Sequence, residues 1–76
     1  MRDKLKIFLE NTLNEPYESF ANVENLKDLE FWDSLVYVNL VVGLQQEFKV
    51  NLTKDDIQQL LSVKGIESVL TRYGVQ

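Results

Sequence analysis

The chain contains no cysteine and no histidine. That removes disulfides, thiolate nucleophiles, the usual zinc ligand sets and any Ser–His or Cys–His pair. Catalysis near neutral pH would have to rest on carboxylates, Lys or Tyr. The most informative arrangement is Asp33-Ser34-Leu35, where an acidic stretch meets a strong helical pattern. A serine at a helix N-terminus faces free backbone N–H groups and the positive end of the macrodipole, and both favour a phosphate. The plainer alternative is that Ser34 is only the N-cap, a role that serine commonly fills. The neighbouring carboxylates Asp55 and Asp56 also fall at a helix start, where solvated capping accounts for them.

The elements that must position Ser34 follow from the hydrophobic spacing. Leu5, Phe8, Leu9 and Leu13 predict a first helix over 3–13, with Lys4, Lys6 and Glu10 on its other side. Asn14-Glu15-Pro16 ends it, because a residue before proline is pushed away from the helical region. Residues 15–33 form a long connection with six acids against Lys27 alone. Tyr17, Phe20, Val23, Leu26 and Leu29 argue that it packs onto the rest, with a short helical turn near 16–24. A connection of this length in a compact domain is often functional.

The strongest helix is predicted over 34–48, capped by Asp33 or Ser34. Tyr37, Leu40, Val41, Leu44 and Phe48 share one face, while Leu35, Val38 and Val42 lie nearly opposite. A helix that is apolar on two sides is either buried on both or offers one side to a partner. Tyr37 fits the core or the edge of the second stripe. Val50 and Leu52 should tuck inward. Thr53-Lys54-Asp55-Asp56 has the form of a capping box, opening a short third helix over 54–61 that buries Ile57, Leu60 and Leu61. Ser62 caps a fourth over 63–73, with Ile66, Val69, Leu70 and Tyr73 inward and Gly74 as its stop. Close packing of a neighbouring helix would explain the helical glycines Gly43 and Gly65. The expectation is a single all-α domain over residues 1–76.

Composition narrows the function. Apolar residues make up 45% and charged residues 26% of the 76 residues, which is globular rather than disordered. The net charge of −4 disfavours nucleic acid and anionic lipid, both polyanions, and points to a basic protein partner. No apolar run approaches membrane-spanning length, and the charged start is unlike a signal peptide. A cytoplasmic monomer that is not an enzyme by itself is expected.

The sequence resembles the acyl carrier protein family, most firmly from about Leu26 to Leu70. Its centre, Asp33-Ser34-Leu35, resembles the family's Asp-Ser-Leu motif, and Leu40, Leu44, Glu47-Phe48 and Ser62-Val63 follow at family-like spacing. The resemblance implies a small four-helix bundle with three longer helices, a short third one and a long loop between the first two. It implies that Ser34, with Asp33 and Leu35 beside it, carries covalent 4′-phosphopantetheine donated from coenzyme A by a phosphopantetheinyl transferase. The thiol of that group would carry an acyl chain as a thioester, supplying the reactivity that a chain without Cys and His lacks. Asp33 would then either help position the hydroxyl or Mg²⁺ in the transferase complex, or simply cap the helix. Leu35, Val36, Val38 and Val42 would dock into the transferase and into acyl-activating, acyl-transferring or synthase enzymes, as a helix lies in a groove. The core could be solid or could open to admit an acyl chain.

The sequence departs from the family at two points. Phe31 stands where glycine is common three residues before the serine, and Trp32 follows it. These aromatics either pack down as an anchor or contact the arm or a partner. The surface of the second helix, strongly acidic in fatty-acid carriers, here presents Val36, Asn39, Gln45 and Gln46 with Glu47 as its one charge. That favours a specialised pathway, such as a secondary-metabolite or surface-polymer route, over bulk fatty acid synthesis. An aminoacyl or peptidyl carrier shares the same features. The alternative from another class is an unmodified interaction module that binds one partner through Leu35, Val38 and Val42.

Overall fold

A computed structural model describes residues 2–75. These residues are all-helical, with four α-helices: α1 (Arg2–Leu13), α2 (Ser34–Phe48), α3 (Lys54–Gln58) and α4 (Val63–Arg72). Two 3-10 turns, Tyr17–Ser19 and Leu26–Asp28, punctuate the connection between α1 and α2. No described helix is long and apolar enough to cross a membrane.

The helices end where the local chemistry requires it. Asn14 and Lys49 take left-handed φ values of 56° and 55° after α1 and α2, and Gly74 takes 81° after α4. The Lys49 N–H closes the last turn of α2 on the Gln45 carbonyl. α1 and α2 run antiparallel. Lys4 Nζ lies 5.1 Å from the ring centre of Phe48, and Phe8 sits against Gly43 and meets Phe48 edge-on with ring centres 6.1 Å apart. A Cβ on Gly43 would come within 2.7 Å of the Phe8 ring, so the close approach of α1 requires glycine there.

Leu5, Leu9 and Leu13 of α1, Leu40, Leu44 and Phe48 of α2, and Val63, Ile66, Val69 and Leu70 of α4 form one core. The connection belongs to it as well. Phe20 and Leu26 are both fully buried, and burying each is worth roughly 1.5–3 kcal/mol. The first 3-10 turn is tied to α1 by a hydrogen bond of 2.9 Å from the Tyr17 N–H to Glu10 Oε2. The second is tied to the turn between α3 and α4 by a bond of 2.6 Å from the Leu26 N–H to the Leu61 carbonyl. The radius of gyration is 11.2 Å, against about 11 Å expected for a folded chain of this length, so the connection adds no loose extension.

Four expectations change. α3 stops at Gln58 instead of residue 61, and the chain then turns so that Leu61 can receive Leu26. Gly65 is required by the Gln59 carbonyl, which a Cβ would strike, rather than by a neighbouring helix. Tyr73 lies just beyond α4 and is 39% exposed, with its hydroxyl turned to Asp56 and to the Asn51 carbonyl. Asp56 is buried, whereas its position at a helix start suggested solvated capping. The second 3-10 turn adds an element that the hydrophobic spacing did not announce.

Candidate functional site

The start of α2 is the candidate site. Asp33 is extended, with φ −148° and ψ −178°, and its carboxylate accepts the Val36 N–H at 2.8 Å. Its carbonyl accepts the first helical bond, from Tyr37 at 3.0 Å. Asp33 is therefore the N-cap, and Ser34 is the first residue inside the helix. The N–H groups of Ser34 and Leu35 fall in the first turn, beyond the reach of any intrahelical carbonyl. Ser34 is exposed. Its hydroxyl is not occupied as the cap, and it stands at the positive end of a fifteen-residue helix.

An open groove of about 470 Å³ lies alongside, lined by Lys27, Trp32, Asp33, Ser34, Tyr37 and Val38. Trp32 and Tyr37 are half-buried, with ring centres 6.1 Å apart and planes inclined by 60°. Phe31 and Trp32 both pack against the core, so packing and groove-lining coexist for Trp32. Tyr37, which could have served the core or the stripe edge, packs with Trp32 and faces the groove.

Leu35, Val38 and Val42 run along the outer face of α2 and are 67%, 52% and 44% exposed. On the opposite face Leu40, Leu44 and Phe48 are buried. Val36, grouped with the stripe on sequence grounds, is half-buried and packs against the core instead of extending it. The stripe of Leu35, Val38 and Val42 starts directly beside Ser34, and Val36, expected among the docking residues, lies outside it.

A second concentration of ionisable groups lies at the start of α3. Thr53 Oγ1 accepts the Asp56 N–H at 3.1 Å, and the Asp56 carboxylate accepts the Thr53 N–H at 3.0 Å, completing a reciprocal capping box. The same carboxylate receives the Tyr73 hydroxyl and an Arg72 guanidinium N–H at 2.8 Å. The Tyr73 hydroxyl, followed by the Thr53 N–H, holds the Asp56 carboxyl below the usual carboxylate range despite its burial. The same bond raises the Tyr73 phenol above its usual range. Every acceptor here is already engaged, and this cluster reads as a structural tie between α3 and the end of α4.

The Ser34 end fits a phosphate-linked group on its own geometry. It has an exposed hydroxyl, N–H groups free at the first turn and an open groove for a tethered chain. Sequence reasoning brought Asp33, Ser34, Leu35, Val38 and Val42 to this end but missed Lys27. Its signal was present, since Lys27 is the one cation among residues 15–33. No family model matches the chain, and none of the curated proteins or solved structures compared with it matches either.

Proposed function

We propose that the protein is a carrier: Ser34 bears 4′-phosphopantetheine, and the chain presents intermediates bound to that arm to partner enzymes. The observation that carries this reading is the division of labour at the start of α2. Asp33 takes the capping role, which leaves the exposed Ser34 hydroxyl available at the helix's positive end. In loading, Ser34 Oγ forms a phosphoester bond as the pyrophosphate bond of coenzyme A breaks. Adenosine 3′,5′-bisphosphate leaves with the electron pair, and the hydroxyl proton passes to a base of the transferase. When bound, the group supplies a thiol for thioester chemistry.

The chain's own residues hold, orient and dock. Buried Leu40 and Leu44 fix α2 on the core, and the exposed Leu35, Val38 and Val42 give partner enzymes an apolar ridge next to the attachment point. The arrangement of three longer helices, one short helix and a long first connection is consistent with an acyl-carrier-like bundle. Glu47 as the one charge on α2 supports a specialised pathway over bulk fatty acid synthesis. An acyl cargo is the first reading, and an aminoacyl or peptidyl cargo would use the same geometry.

The test is intact mass after incubation with coenzyme A, Mg²⁺ and a broad-specificity phosphopantetheinyl transferase. One phosphopantetheine on the wild type and none on Ser34→Ala is expected. A folded wild type that several such transferases leave unmodified would sink the carrier reading and favour the unmodified interaction module.

A further inference from the structure

The groove beside Ser34 brings an indole, a phenol and an ammonium together in about 470 Å³, a volume within the usual range of small-molecule sites. Its lining is held from several directions. The 3-10 turn that displays Lys27 is pinned by the fully buried Leu26, by the Leu26–Leu61 bond and by the Asn25 side chain, which accepts the Lys27 N–H at 3.0 Å. Trp32 is packed on the core, and its backbone N–H donates to the Leu29 carbonyl at 3.1 Å. Tyr37 stands on the first turns of α2. The two rings are inclined, not stacked, so they form an angled wall. Because Ser34 is itself part of the lining, any chain bonded to Oγ starts inside the groove.

Resting on the carrier reading, we infer that this groove is a seat for the root of the phosphopantetheine arm. The Lys27 ammonium faces the phosphodiester, and Trp32 and Tyr37 pack against the geminal methyl groups and amides that follow it. Among the described residues lining the groove, Lys27 is the one cation and Asp33 the opposing charge. The Asp33 carboxylate accepts the Val36 N–H and stays negative, so Lys27 is the lining group whose charge complements a phosphodiester. The arm therefore leaves Ser34 along the Trp32 side rather than swinging freely, and partners meet a cargo delivered from one direction.

Trp32 is the only tryptophan, so its emission reports on this groove alone. The experiment compares acrylamide quenching of Trp32 in the unmodified and phosphopantetheinylated proteins. The terminal thiol is capped by alkylation so that its own quenching does not enter, and intact mass is recorded on each sample. Attachment is expected to lower the Stern–Volmer constant to about half or less, because Trp32 is already half-buried and the arm covers exposed ring that remains. Lys27→Gln, a change at an exposed side chain, is compared in its fully loaded fraction, isolated and checked by intact mass, and should return quenching toward the unmodified value. A full mass increment with unchanged quenching overturns the seat and leaves the carrier reading standing. A decrease that Lys27→Gln leaves intact overturns the ammonium–phosphate contact. No mass increment on the folded protein removes the carrier reading and the seat with it.

Discussion

Two helices in this molecule begin with an acid in a capping role, and the two starts are built to opposite ends. At α3, Thr53 and Asp56 satisfy each other reciprocally, and Tyr73 and Arg72 close over the carboxylate from the far end of the chain. At α2, Asp33 satisfies one N–H and the following residues face solvent, with a hydroxyl first and an apolar ridge behind it. The same local device, a carboxylate accepting an N–H three residues away, is saturated in one place and left open in the other. The α3 start is closed by contacts with the end of the chain, and the α2 start leaves an exposed hydroxyl and an apolar ridge.

Substitutions at the two starts should separate stability from attachment. The sharpest contrast is Ser34→Ala, which eliminates the mass increment entirely while changing urea-unfolding stability by less than about 0.5 kcal/mol, as is usual for an exposed position. A large stability loss there would mean that the α2 start is structural after all.

Asp56→Ala should cause the largest stability loss of the polar substitutions, because it strips the Thr53 N–H, the Tyr73 hydroxyl and Arg72 of their shared acceptor. Its pH signature has a definite sign. A carboxylate whose folded pKa is depressed contributes stability above its ordinary value of 3.8, and that contribution drains away as pH falls through the lower folded value. Asp56→Asn should therefore flatten the acid limb of a stability–pH profile. An unchanged acid limb would show that the tie is electrostatically idle.

Smaller effects test the caps singly. Asp33→Ala and Thr53→Ala should each cost about 0.5–2 kcal/mol by thermal or urea denaturation. Only Asp33→Ala should also slow loading at Ser34. Equal loading rates in both would remove any role for the α2 cap beyond stability. Val38→Ser and Val42→Ser should move stability least, within about 0.5 kcal/mol, while weakening the transferase complex. Unchanged transferase affinity would show that the ridge is not its docking surface.

Much of this was legible in the sequence because it is local. The α2 pattern gave residues 34–48 directly, the Thr53-x-x-Asp56 box and the Ser62 cap formed as their spacing predicts, and Phe20 and Leu26 marked a connection that packs. What escaped depends on contacts between residues far apart. The burial of Asp56 is made by Tyr73, seventeen residues on, and no window around a capping box contains that information. The Leu26–Asp28 turn is three residues long, a single 3-10 turn with no repeat, so hydrophobic spacing could not reveal it. Whether Asp33 or Ser34 capped α2 could not be read from residue preference, since both suit the position. The backbone decides it, and that one-residue difference is what leaves the serine hydroxyl available.

The bond between the Leu26 N–H and the Leu61 carbonyl has a consequence for the order of assembly. It joins the middle of the connection to a turn that exists only after α3 has stopped and α4 has begun. Contacts between such distant parts of a chain close late, after local helices have formed. The turn that displays Lys27 is therefore set by the C-terminal third of the chain. A ribosome-bound fragment containing α1 and α2 would already carry Ser34 at the start of α2, but the connection before it would not yet be locked to its support. The placement of Lys27 in the groove beside Ser34 thus depends on a part of the chain that is made after α2.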